Sequence, residues 1–393
     1  MRRLLIRGGV LVLPDRGELR QGDLLIERGL IASWGRRLKL KKGDVDAVLD
    51  ARGLYVAPGF IDLQLVGSGG YNFEDASPDE LEQIIDLHIS HGTTGLLPTI
   101  MTASIARMRA AIERIRQVKH PAVLGVHLEG PFISERRKGA HDPEFILAPA
   151  AEKLDELVKG YEDFIRIITL APELPGARQL IQRVGELGIV PALGHSDASY
   201  EEALKAIDAG ITLFTHVFNA MRGFHHREPG AVGAALASDV MVTLIADGIH
   251  VHPAAVRLLY RLKGASGICL ITDAIGAAGM ASGDGEYTLG GRRVLVEGGV
   301  ARLADGTLAG STLTIDRAVR SFISFTGASL PEAVRAASLN PARVLGLDGR
   351  KGTIAEGKDA DLVLFDEDFT MHYTLIGGEV VYPSWHDRPG RLK

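Results

Sequence analysis

The stretch IVPALGHSDASYEEALKAIDAGITLFTHVFNAM, Ile189 to Met221, decides the fold. Two apolar runs, Ile189 to Leu193 and Ile211 to Thr215, each lead into a histidine, His195 and His216. Between them Ala203, Leu204 and Ile207 recur at helical spacing, and Gly210 closes the segment. The order reads strand, helix, strand. Parallel β/α units set successive strand ends on one face, so the two histidines are expected to meet there. The plainer alternative is a pair of hydrogen-bonded core histidines.

Outward from this stretch the same alternation repeats. Candidate strands are Phe60 to Leu65, Gly95 to Pro98, Val123 to Leu128, Ile165 to Leu170, Ile189 to Leu193, Ile211 to Thr215, Val240 to Ala246 and Ile268 to Thr272. Helical patterns fill the intervals at Asp79 to His91, Ile105 to Lys119, Gly176 to Leu187 and Pro253 to Leu262. Eight repeats imply an α/β fold of the (β/α)8 TIM-barrel type, with a doubly wound open sheet as the alternative. Both chain ends carry short strands without long helical patterns, at Leu4 to Ile6, Val10 to Leu13, Asp23 to Glu27 and Leu30 to Trp34, and at Gly352 to Ile354, Asp361 to Phe365, Met371 to Ile376 and Glu379 to Tyr382. They are expected to form one small β-sandwich domain, residues 1–57 with 347–393, around a barrel of residues 58–346. A glycine-rich insertion from Ala277 to Ala304, with strands near Tyr287 to Leu289, Arg293 to Val296 and Val300 to Leu303, has no assigned place.

Composition narrows the function classes. The 393 residues are 46% hydrophobic and 24% charged with net charge −5, which gives no electrostatic footprint for nucleic acid or an anionic membrane. No apolar run approaches the roughly 20 residues of a membrane span. Arg7, Gly8 and Gly9 interrupt the leucine-rich start, so a signal peptide is not expected and the expected location is cytoplasmic. Cys269 is the single cysteine, which excludes an intramolecular disulfide and a cysteine metal cluster.

In a barrel, chemistry collects where strands end. Glu129 follows the third strand, His195 the fifth, His216 the sixth, Asp247 and His250 the seventh, and Asp273 the eighth. Glu129, His195 and His216 make a plausible catalytic metal site, since two imidazoles and a carboxylate leave a position open on a tetrahedral ion. Such an ion brings the pKa of bound water towards roughly 7. Asp273 would accept the water proton and pass it to a leaving group, its bland alternative being a helix cap. His88 and His91 fall in one helical stretch and His120 ends another, so all three read as structural. The VGSGG glycines lack the helix and lysine of a phosphate loop.

Several motifs together carry a resemblance: PGFIDLQLVGSGG at Pro58, GVHLEGPFISERRKGAH at Gly125, LAPE at Leu170, GHSDAS at Gly194, THVFNAM at Thr215, REPG at Arg227, ADGIHV at Ala246, ITDA at Ile271, GTLAGS at Gly306 and NPAR at Asn340. They resemble the N-acetylglucosamine-6-phosphate deacetylases of the amidohydrolase superfamily over most of the chain. The resemblance implies hydrolysis of the sugar acetamide to glucosamine 6-phosphate and acetate, in amino-sugar catabolism and recycling, with metal-bound hydroxide as nucleophile and Asp273 as base and acid. It implies that His141 polarises the carbonyl beside Ala140, that Asn219, Ala220, Arg227 and His250 hold the sugar phosphate, and that Leu308, Ala309 and Gly310 line the pocket. It further implies a homodimer in which Arg227 reaches the neighbouring active site. Gln64 and Val66 stand where many superfamily members carry an HxH pair, so one divalent ion per subunit is expected: zinc, with iron, cobalt and manganese compatible.

Three alternatives remain at the level of sequence. A cyclic amidase would use the same barrel but normally wants the HxH pair and a bridging lysine. A deacetylase of another N-acetylhexosamine phosphate, such as the galactosamine isomer, differs only in pocket shape. A catalytically dead sugar-phosphate sensor would not need Glu129, His195, His216 and Asp273 intact.

Overall fold

Eight apolar runs of the central region form parallel strands that pair in chain order: Phe60–Leu65, Thr93–Met101, Val126–Glu129, Ile165–Leu170, Val190–Leu193, Leu213–Phe214, Met241–Ile245 and Ile268–Ile271. The computed structural model describes residues 3–41, 43–280 and 283–383. Most of these strand residues are buried, as expected of a parallel sheet whose outer face is covered by helices. The eighth strand returns to the first. Asp273 N–H donates to Gln64 O at 2.9 Å, Val66 N–H donates to Ala274 O at 2.7 Å, and the buried Asp62 carboxylate accepts from the Thr272 hydroxyl at 2.6 Å and the Thr272 N–H at 3.3 Å. These contacts bridge the seam of a barrel, not an open doubly wound sheet.

Local sequence sets the helix starts. Ser77 with Glu80 and Ser199 with Glu202 are capping boxes, fixing the entries of Pro78–Ser90 and Tyr200–Ala209. The latter is the helix between the two histidine-tipped strands, and it buries Ala203, Ala206 and Ala209. The barrel and its helices share one apolar core in which Phe60, Phe73, Phe132, Phe214 and Phe322 are fully buried.

The chain ends build one eight-stranded sheet. In order it runs Glu379–Tyr382, Met371–Ile376, Leu362–Phe365, Tyr55–Pro58, Arg3–Leu13, Glu18–Glu27 and Leu30–Gly35, with Ala47–Asp50 also alongside Arg3–Leu13. Its pairings are antiparallel except where Arg3–Leu13 meets Ala47–Asp50 and Tyr55–Pro58. The expected small β-domain is thus one eight-stranded sheet from both chain ends around its own core, and the turn between Glu18–Glu27 and Leu30–Gly35 meets the one between Met371–Ile376 and Glu379–Tyr382. A Cβ on Gly29 would lie 2.8 Å from Gly377 O. Two strands expected at Leu4 to Ile6 and Val10 to Leu13 are one strand, because the chain bulges between Ile6 and Gly9, with Gly8 at φ 71°. The bulge reverses the side-chain alternation, so Leu4, Ile6, Leu11 and Leu13 all enter one core. The strand expected at Gly352 to Ile354 does not form.

The insertion after the eighth strand is an antiparallel meander, Gly285–Leu289, Arg292–Glu297 and Val300–Arg302. Its Leu289, Val294 and Val296 pack with Val66, Met101 and Ala140, and Arg292 donates to Ala140 O at 3.3 Å. The meander therefore walls one side of the cleft at the barrel mouth.

Candidate metal centre and active site

The strand ends bend sharply where the chemistry is. His195, His216, Phe218, Ala220 and Asp273 have φ of 48°, 33°, 79°, 47° and 50°, five of the eight non-glycine residues with positive φ among the described residues. Such backbone strain is held by surrounding structure and concentrates at functional sites. Gly194 permits one of these turns: a Cβ there would lie 2.7 Å from Thr169 Cγ2 and 2.8 Å from Thr215 Cβ. His216 is anchored below by its own N–H, which donates to Thr243 Oγ1 at 2.6 Å.

Glu129, His195 and His216, from three different strand ends, converge on one point. Glu129 Oε1 lies 3.2 Å from His195 Nε2 and 3.0 Å from His216 Nε2, and the two Nε2 atoms are 3.1 Å apart. All three residues are at least 95% buried. Hydrogen bonding fixes what His195 presents. Its Nδ1 faces the Arg137 carbonyl at 2.9 Å, so Nδ1 carries the hydrogen and the Nε2 lone pair points inward. A lone pair and a carboxylate oxygen facing each other at 3.2 Å repel, and a cation between them turns that repulsion into ligation. The donor set of two imidazoles and a carboxylate therefore fits a divalent ion.

His141 also lies close, with Nε2 3.4 Å from Glu129 Oε2, and Glu129, His141 and His195 together offer ligand atoms within 4.8 Å of one another. His141 is nevertheless a donor here. Its Nδ1 accepts the Thr102 N–H at 3.2 Å, so in the neutral ring the hydrogen sits on Nε2 and no lone pair faces the site. Burial lowers its pKa to about 4, keeping it neutral at pH 7. His216 is thus the better third ligand, and His141 is suited to hydrogen-bond a carbonyl oxygen.

Opposing effects set the remaining charges. Burial would raise the Glu129 pKa, but the His141 N–H and the adjoining His195 and His216 rings hold it well below the usual carboxylate range. For His216, burial would lower the value, and the hydrogen bond and charge of Glu129 reverse this to a net rise. Asp273 is pushed up to about 6 by burial and by the Glu129 charge. It is therefore poised to exchange protons near neutrality.

The cleft above these groups measures about 430 Å³. Ala140, His141, Asn219, Ala220, His250, Leu308 and Gly310 line it together with Glu129, His195, His216 and Asp273. His250 is oriented by Asp247, whose Oδ2 lies 2.6 Å from Nδ1, leaving Nε2 at the far edge. Ala309 departs from expectation. It is fully buried among Leu289, Val294 and Ala301, because successive residues of an extended segment point to opposite sides. Arg227 does not line this cleft. It sits on an exposed loop, with its guanidinium 2.9 Å from His226 Nε2.

Other lining residues, including Arg136, Arg137, Phe218 and Arg302, were not expected. Arg136 and Arg137 are visible in sequence with Lys138 as a charge cluster near His141 in SERRKGAH. Gln64 was noted only as an absent ligand, yet its Nε2 bridges Glu129 Oε1 at 2.7 Å and Asp273 Oδ1 at 3.2 Å. The histidines read as structural do not line the cleft: His88 is fully buried in the helix Pro78–Ser90, His91 caps that helix and pairs with Asp316 at 3.0 Å, and His120, past the helix Ile105–Val118, accepts the Ala122 N–H on Nδ1 at 3.1 Å.

Similarity to known proteins agrees with this geometry. Residues 55–381 match the amidohydrolase family. An N-acetylglucosamine-6-phosphate deacetylase of Lysinibacillus sphaericus is 39% identical, over 96% of this chain and 97% of that protein. An N-acetylgalactosamine-6-phosphate deacetylase of Escherichia coli O157:H7 is also 39% identical, over 94% and 97%. Among solved structures, a mutant N-acetyl-D-glucosamine-6-phosphate deacetylase of Mycobacterium smegmatis in complex with N-acetyl-D-glucosamine 6-phosphate superposes with TM-score 0.89 and 37% identity, covering 97% of this chain and all of that one. The chain belongs to the amidohydrolase family, in the branch of the N-acetylglucosamine-6-phosphate deacetylases.

Proposed function

We propose that this enzyme hydrolyses the acetamide of N-acetyl-D-glucosamine 6-phosphate to D-glucosamine 6-phosphate and acetate, in the cytoplasm, as part of amino-sugar catabolism and recycling. The observation that carries the reading is the convergence of Glu129, His195 and His216 at one end of the barrel, with the Asp273 carboxylate joined to Glu129 through the Gln64 amide. Glu129, His195 and His216 would hold one divalent ion, zinc in our reading. When bound, such an ion supplies Lewis acidity, lowering the pKa of water and polarising a carbonyl.

The chain's own residues then divide the work. His141 Nε2–H donates to the acetamide oxygen as negative charge develops on it. Asp273 takes a proton from the attacking water as the new carbon–oxygen bond forms. It returns that proton to nitrogen as the carbon–nitrogen bond breaks, so the amine leaves neutral. His250 and the backbone around Asn219 and Ala220 lie at the edge of the cleft suited to the sugar phosphate. Arg227, outside its own subunit's cleft, would grip the phosphate of a neighbouring copy in a homodimer, where guanidinium geometry suits bidentate contact. We further propose that the barrel unit spans residues 58–346, with residues 1–57 and 347–393 forming the smaller domain.

Acetate release from N-acetylglucosamine 6-phosphate, its galactosamine isomer and the unphosphorylated sugar tests the reading. Turnover is expected to be highest for the glucosamine phosphate. Preference for the unphosphorylated sugar would overturn the phosphate roles of Arg227 and His250.

A further inference from the structure

Asp273 is held differently from the other groups of the site. Its backbone is fixed on both sides, N–H to Gln64 O at 2.9 Å and O to Ser311 N–H at 2.8 Å, and a Cβ on Gly310 would come within 3.0 Å of that same oxygen. Its carboxylate has much less support. Among the described residues, the Gln64 amide is its side-chain hydrogen-bond partner, with Nε2 3.2 Å from Oδ1. The same nitrogen reaches Glu129 Oε1 at 2.7 Å. Both acceptors are carboxylate oxygens, so the amide orientation is dictated by charge: turning it over would set Oε1 against two carboxylates. The consequence is visible at the other end of the group, where Gln64 Oε1 is buried without a hydrogen-bond partner. A buried carbonyl left unpaired is costly, which argues that the N–H end is retained for what it does.

The placement of Gln64 is itself reinforced. Asp62, two residues earlier, accepts the Gln64 N–H at 3.2 Å and both Thr272 donors, locking the first strand to the eighth immediately below the amide.

We propose that Gln64 is a positioning residue for the proton carrier: its Nε2–H2 group ties Asp273 Oδ1 to Glu129 Oε1 and leaves Asp273 Oδ2 free to exchange the proton. This inference rests on the reading that Asp273 carries the proton.

The test combines Gln64→Met, which keeps length and burial but removes both amide functions, Gln64→Glu, which restores a polar head without the N–H2, and a double mutant with Asp273→Asn. All variants are assayed at matched metal occupancy by acetate release from N-acetylglucosamine 6-phosphate, in H2O and D2O. Gln64→Met is expected to hold one equivalent of metal under saturating conditions, keep KM within about threefold, and lose about 10- to 100-fold in kcat, the range of a weakened general acid–base step. Its solvent isotope effect on kcat is expected to rise. Gln64→Glu should recover none of the loss, and adding Gln64→Met to Asp273→Asn should cost less than about twofold more. Metal-matched Gln64→Met within threefold of wild-type kcat, rescue by glutamate, or losses that multiply in the double mutant would each overturn the proposal. Wild-type turnover by Asp273→Asn would instead sink the reading on which it rests, whatever the Gln64 variants do.

Discussion

Replacing Asp273 by asparagine isolates proton transfer from metal binding. Among the described residues Asp273 is not hydrogen-bonded to His195 or His216, and asparagine keeps a side-chain oxygen for the Gln64 amide, so metal binding should persist. Asparagine can neither take the water proton nor deliver it to the amine. The structure offers no ready substitute. His141 presents an N–H, His195 and Glu129 would be taken up by the proposed ion, and His250 is engaged by Asp247 at the rim. General acid–base groups contribute about 10²–10⁴-fold, and a residue serving both steps without backup belongs at the upper end, about 10³–10⁴-fold or about 4–5.5 kcal/mol. The assay is acetate release with metal content measured on the same sample. The wild type should add a pH signature. Asp273 must be ionised to act as base, and burial together with Glu129 raises its pKa to about 6. Activity should fall as pH drops through about 6, or lower where a bound cation opposes the rise. A metal-replete Asp273→Asn variant within tenfold of wild type would refute the proton carrier.

Other perturbations probe separate parts of the account. Arg227→Ala should raise KM for the phosphorylated sugar about 10- to 100-fold, the loss of a hydrogen bond between charged groups, while leaving turnover of the unphosphorylated sugar unchanged; an unaltered KM would remove Arg227 from phosphate binding. Asp62, raised to about 7 chiefly by burial, binds its proton more tightly folded than unfolded, so its stabilising contribution is full below about pH 4 and is lost as pH rises through about 7. Urea midpoints of the metal-free protein should show this loss between about pH 4 and 7, and Asp62→Asn should flatten it; an unchanged slope would contradict the assignment. Phe214→Ala empties a fully buried position on the sixth strand and should cost about 3–5 kcal/mol in the same denaturation, a loss below about 1 kcal/mol being inconsistent with a tightly packed barrel wall.

Much of the barrel was legible because its strands are apolar runs with amphipathic segments between them. Ile165 to Leu170 and Phe60 to Leu65 were bounded to the residue. The sixth was read as Ile211 to Thr215 but pairs only over Leu213–Phe214, since pairing depends on neighbours the sequence does not reveal. The small sheet was harder. Ala47–Asp50 and Tyr55–Pro58 are four-residue strands whose place comes from pairing with distant segments, and local periodicity carries no signal over so few residues. Arg7, Gly8 and Gly9 read as a break, whereas glycine at positive φ let the strand bulge and continue.

The site was legible where residues have intrinsic chemistry. Glu129, His195, His216 and Asp273 at strand ends needed only the barrel rule to be brought together. Gln64 has no charge and no metal affinity, so its role emerges only from the two carboxylates it faces. Ala309 shows the converse limit: a matching motif transfers a run of residues, while the backbone sends alternate ones to the cleft and to the core.

The central claim is that one ion at Glu129, His195 and His216 supports sugar-phosphate deacetylation. Removing metal with a chelator and restoring zinc stepwise, while following acetate release from N-acetylglucosamine 6-phosphate, tests it most directly. Activity should vanish on chelation and return linearly to a plateau at one equivalent per subunit, with Glu129→Gln failing to recover. Full acetate release from protein stripped below a tenth of an equivalent of metal, or a plateau at two equivalents, would contradict the account.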